Sequence, residues 1–63
     1  MKKGDLIELE LGWLSNGHRE VILAIVTGID TSDPYECEVM FYRHGKQRYT
    51  WIQYDYAENR RIK

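Results

Sequence analysis

A chain of 63 residues has room for one hydrophobic core, and residues 1–63 are read as a single domain. Nine Lys and Arg against ten Asp and Glu leave no overall field to draw in nucleic acid or an anionic membrane, and the lone Cys37 excludes an internal disulfide. Packing must therefore supply the stability, and the eight aromatic residues Trp13, Tyr35, Phe41, Tyr42, Tyr49, Trp51, Tyr54 and Tyr56 are the natural material for it.

In chain order, Lys2 and Lys3 are not followed by an apolar stretch, because Asp5, Glu8 and Glu10 interrupt it, so this segment does not read as a signal peptide. Asp5 to Leu11 alternates, with Ile7, Leu9 and Leu11 on one side and Glu8 and Glu10 on the other, which predicts a half-buried strand. Gly12 to Arg19 carries two glycines, Ser and Asn and predicts a long loop. Glu20 to Ile29 is rich in Val and Ile with apolar residues on both faces, as in a bent central strand shared between two sheets. Its apolar run, Val21 to Val26, falls far short of the about 20 residues a bilayer crossing needs. Thr31-Ser32-Asp33-Pro34 reads as a turn, Tyr35 to Arg43 as the third strand, and His44-Gly45 as the turn of a hairpin onto Lys46 to Ile52. Tyr54 to Asn59 breaks the alternation and predicts a short 3-10 turn, after which Arg60-Arg61-Ile62 adds a last short strand.

This order predicts an all-β, five-stranded meander. The opening Lys3-Gly4-Asp5-Leu6, Gly28 after an apolar strand, Glu38-Val39-Met40-Phe41, and Trp51 before a short turn resemble the small SH3-like barrel proteins common in bacteriophages, most of them uncharacterised. The resemblance spans nearly the whole chain. It implies a closed barrel and a phage-type accessory role, while one thiol and no segment that reads as an export signal predict a cytoplasmic location, that of the host if the chain is phage-encoded. Many such relatives carry Leu in the last turn, where this chain has Ala57. Tyr54-Asp55-Tyr56 also looks like part of the motif that builds the proline-peptide groove of signalling SH3 domains. It lies near the opposite end of the chain from that motif, and no groove residue is carried over.

The hairpin admits two registers. A two-residue primed turn at His44-Gly45 sets Arg43 opposite Lys46 and sends Tyr49 and Trp51 to the face of Met40 and Tyr42, leaving an exposed aromatic platform. A three-residue loop, Arg43-His44-Gly45, slips the register by one and brings Tyr49 and Trp51 into the core with Val39 and Phe41. The second is the expectation, because it buries the largest rings and puts Gly45 where φ must be positive.

Chemistry-bearing residues are sparse. His18 and His44 fall in loops without a nucleophile or orienting carboxylate at recognisable spacing, so no catalytic residue is assigned and the chain is read as no enzyme. One Cys and two distant His lack the pairings of a zinc site, and Asp30, Asp33, Glu36 and Glu38 read as a solvated turn and strand face, so no metal and no cofactor is expected. Cys37 alternates with Val39 and Phe41 as a small buried hydrophobe.

Three roles are physically available. The first and preferred is a noncatalytic module that binds a protein partner through Trp13 and Leu14 or through Tyr42, Tyr49 and Trp51, since buried aromatics dominate many interfaces. The second is RNA or single-stranded DNA binding through Arg43, Lys46 and Arg48 of the hairpin and Arg60 and Arg61 near the C-terminus. The simpler reading of those charges is that they guard strand edges. The third is a structural homo-oligomer. No membrane partner is expected.

Overall fold

The computed structural model describes residues 1–13 and 17–62. Four strands, β1 (Leu6–Trp13), β2 (Arg19–Asp30), β3 (Glu36–Arg43) and β4 (Lys46–Gln53), form one antiparallel sheet in chain order, and a six-residue helix, α1 (Tyr54–Asn59), follows. The protein is all-β in its sheet, as its alternation predicts. It differs from the expected five-stranded closed barrel: the described residues hold four strands, and the sheet does not close. The expected fifth strand amounts to one bridge, Arg61 opposite Ile7, flanked by bonds from the Glu8 N–H to the Arg60 carbonyl (3.0 Å) and from the Ile62 N–H to the Leu6 carbonyl (2.8 Å). Arg60 caps α1, so extended backbone begins only at Arg61.

α1 itself corrects the expected 3-10 turn. Ala57 is a strong helix former and Asp55 sits in the first turn, where a carboxylate favours the positive end of the helix. Tight geometry survives only at the exit, where the Arg60 N–H reaches the Ala57 carbonyl three residues back (3.1 Å).

β1 runs two residues past the expected Leu11. The ladder shifts between Glu10 and Gly12, making Leu11 the extra residue of a bulge, and Gly12 takes a φ of 137° that a side chain would resist. Trp13 then pairs with Arg19, so both ends of the predicted loop are strand.

β2 is the central strand. It pairs with β1 from Arg19 to Ile25 and with β3 from Ile25 to Asp30, exchanging partners at Ile25. Of its apolar residues Ala24 and Val26 enter the core, while Val21, Leu23 and Ile25 lie on the opposite face, and a single sheet uses the strand rather than the expected two. A second bulge, at Thr27 between Val26 and Gly28, bends it where the exchange is complete.

The β3–β4 hairpin takes the two-residue register and not the expected three-residue loop. Arg43 faces Lys46, Val39 faces Thr50 and Cys37 faces Ile52, around a two-residue turn with φ of 53° at His44 and 74° at Gly45. Two successive positive φ values define the primed turn whose twist matches the flanking strands. That match outweighs both the cost of placing His44 in the left-handed region and the exposure of two large rings.

The core is consequently aliphatic. Ile7, Leu9, Ala24, Val26, Cys37, Val39, Phe41 and Ala57 are buried on one face of the sheet, with Met1, Leu11, Ile22, Ile29, Ile52 and Tyr56 packed around them. The expectation that Tyr49 and Trp51 fill the core is overturned: Phe41 is the one aromatic ring buried among the described residues, and Tyr56 is partly so.

A Gly45→Ala substitution puts a β-carbon at a positive φ and is expected to lower stability by about 1–2 kcal/mol in urea unfolding. No loss would contradict the primed turn.

Candidate functional site

Strand alternation assigns the second face. Leu6 and Glu8 of β1, Val21, Leu23 and Ile25 of β2, Glu36, Glu38, Met40 and Tyr42 of β3, and Gln47, Tyr49 and Trp51 of β4 point away from the core. Four of them stand directly opposite one another across the whole sheet: Leu6 faces Ile25, Ile25 faces Met40, and Met40 faces Tyr49. At one strand spacing per step this apolar row is about 14 Å long. Leu23 and Tyr42 beside it are more than three-fifths exposed, and half of Trp51 is exposed. α1 packs on the other side, with Ala57 in the core, so no element of the described chain covers the row.

Local contacts hold the rings in place. A β-carbon built on Gly28 would lie 3.8 Å from Cη2 of Trp51 and 3.4 Å from Cβ of Glu38. The indole therefore lies across the bulge, on the strip of backbone that Gly28 leaves bare. The Gln47 amide donates to the Tyr49 hydroxyl (2.6 Å), and its oxygen accepts from Tyr42 (3.5 Å), linking the two phenols. Glu38 accepts from the Thr27 hydroxyl through Oε1 (3.1 Å), which fixes a carboxylate beside Trp51, its partner on β4.

The charge on this face is one-sided. Glu8, Glu36 and Glu38 lie on it, and its one cation among the described strand positions, Arg19, sits at the far corner bonded to Glu10 (3.3 Å). The basic residues go elsewhere. Arg43, Lys46 and Arg48 alternate with the outward rings and belong to the core-side face at the hairpin end, where Phe41, Arg43, His44, Arg48 and an edge of Tyr49 line a shallow depression. Arg43 is tied to Glu20 (2.7 Å). Arg60 stacks on Tyr56 (3.9 Å) and pairs with Glu10 (3.6 Å), and Arg61 pairs with Asp5 (4.0 Å) and Glu58 (3.8 Å). Lys46 and Arg48 are exposed and make no ion pair among the described residues. Arg43 of the hairpin and Arg60 and Arg61 near the C-terminus are thus engaged with separate carboxylates, and no ion pair among the described residues joins the two groups.

Of the other candidates, Trp13 ends β1 opposite Arg19, and Leu14 lies outside the described residues. Tyr42, Tyr49 and Trp51 are brought together on one face. Sequence reasoning set Met40 beside them in this register and missed Leu6, Leu23 and Ile25 as their further companions. The signal was there in β2, whose apolar residues occupy both of its faces.

Cys37 is fully buried, and burial pushes its thiol above the ordinary range. Asp30 is held below its ordinary value by bonds from the Ser32 hydroxyl and the Ser32 N–H, which stabilise its ionised form at the turn after β2. Among the described residues no group of three His, Cys, Asp or Glu side chains is placed to hold a metal, and no helix is long and apolar enough to cross a membrane. Comparison of the chain with protein-family models, with curated proteins and with solved structures finds no match.

Folding holds the Cys37 thiol neutral, so the linked stability falls as pH climbs past about 8.5, where the thiol of the unfolded chain ionises. Ellman's reagent at pH 8 is expected to leave the folded protein unmodified and to titrate the thiol once urea unfolds the chain. Rapid modification of the folded protein would contradict the burial.

Proposed function

We propose that this chain is a noncatalytic binding module, of the accessory type found among small phage barrels, whose outward sheet face docks on a protein partner. The observation that carries the reading is the apolar row Leu6–Ile25–Met40–Tyr49, flanked by Trp51, Tyr42 and Leu23 and left open by every described element of the fold. Water-exposed apolar surface of this continuity is costly to keep, and on a small domain it marks an interaction surface more often than an accident of packing. Rings already held by Gln47 and by the Gly28 bulge lose little freedom on binding, which suits them as anchors.

The element order supports an SH3-like relationship. Strand, loop, long bent strand, turn, strand, two-residue hairpin, strand and short helix occur in that sequence, and Arg61 returns to β1 where the barrel's last strand would lie. On this reading the sheet is a barrel left partly open.

A second reading, binding of RNA or single-stranded DNA, has in its favour Lys46 and Arg48, exposed and without ion pairs among the described residues beside an edge of Tyr49. It would use the hairpin end and not the outward row. Such binding is expected to weaken steeply with salt and to be lost in Lys46→Ala/Arg48→Ala, with Trp51→Ala indifferent.

Capture from a host lysate with wild type and with Tyr49→Ala/Trp51→Ala tests the protein-binding reading. Both rings are half exposed, so the variant is expected to fold, as circular dichroism would show, and to lose the partners that wild type retains. Recovery of the same partners by the folded variant would overturn it.

A further inference from the structure

We infer that the outward face selects a cationic partner: a polypeptide segment whose apolar side chains are flanked by Arg or Lys. This rests on the reading of that face as a docking surface and adds the chemistry of what docks. The apolar row has a carboxylate on either side, Glu38 one step along β3 from Met40 and Glu8 one step along β1 from Leu6. Any partner covering the row therefore takes both carboxylates out of water. Glu38 has one neutral bond, from Thr27 to Oε1, and its Oε2 makes no hydrogen bond or ion pair among the described residues; the Glu8 side chain makes none either.

A neutral apolar partner would bury these charges uncompensated, which costs far more than an exposed charge pair gains. A phosphate backbone or an anionic lipid surface would add like charge. A second copy docked face to face would bring together two surfaces on which Glu8, Glu36 and Glu38 outnumber the one strand cation, Arg19. A cationic segment reverses the sign of each of these terms. At the Trp51–Glu38 pair it gains a further contact, because the indole and the carboxylate stand on adjacent strands about 5 Å apart, close enough for one guanidinium to meet both.

The test is titration of the isotope-labelled full chain with three short peptides, Leu alternating with Arg, with Gln and with Glu, read by NMR at Met40, Tyr49 and the Trp51 indole. The Leu/Arg peptide is expected to shift these signals and to bind most tightly, and Glu8→Gln/Glu38→Gln is expected to weaken it roughly five- to tenfold. Both substitutions keep the side-chain shape, and the unbound spectrum reports the fold. Equal binding of the Leu/Arg and Leu/Gln peptides would overturn the charge selection while leaving the docking face standing. Shifts confined to Lys46 and Arg48, or no shifts with any peptide at millimolar concentration, would overturn both. Shifts of the same row on concentrating the protein alone, or on adding oligothymidylate, would make a second copy or a nucleic acid the occupant and overturn the inference.

Discussion

The two residues between β3 and β4 decide what every side chain of β4 does. His44 and Gly45 both take positive φ, which curls the backbone into the one short turn whose twist continues that of the strands. A single residue more in that turn would exchange the faces of β4 and carry Tyr49 and Trp51 into the interior. With the turn as it is, Thr50 and Ile52 go inward and the rings go out. The small aliphatic core and the exposed aromatic face are two results of one local constraint.

The rest of the molecule is built around that arrangement. β2 trades β1 for β3 at Ile25, and the bulge at Thr27 bends the strand immediately afterwards, leaving Gly28 as bare backbone under the indole of Trp51. On the opposite face α1 contributes the small side chain of Ala57, fully buried in the core. With the interior so small, burial of Ile7, Val26 and Val39 at about 25 cal/mol per Å2 supplies much of the stability, and the surface ion pairs of Arg43, Arg60 and Arg61 contribute little.

Alternation made most of the sheet legible. Ile7 and Leu9 against Glu8 and Glu10, the Val and Ile of β2, and Cys37, Val39 and Phe41 all lie where period two puts them. What could not be read was anything a bulge or a turn decides. Gly12 was visible as a turn former, yet it serves a strand, because a glycine at high positive φ can continue a ladder past a bulge as readily as end it. The hairpin was misread for a similar reason: burial of large rings argued for one register and the backbone twist for the other, and the backbone term is local and obligatory. The helix at Tyr54–Asn59 looked too short to be more than a tight turn, and its Ala57 was legible only as an absence of Leu.

The face left open joins these threads. The rings were named from the sequence, but their apolar companions come from β1 and β2 and meet them only through the register of three successive strand pairs. The same alternation separates the acidic, aromatic face from the cations of the hairpin, so a net charge near zero conceals two surfaces of opposite character. The hairpin register is therefore the point at which the whole account is most directly open to measurement, by cross-strand nuclear Overhauser contacts in the folded chain. The account predicts backbone contacts pairing Val39 with Thr50 and Cys37 with Ile52. Contacts pairing Val39 with Tyr49 and Cys37 with Trp51 would contradict it.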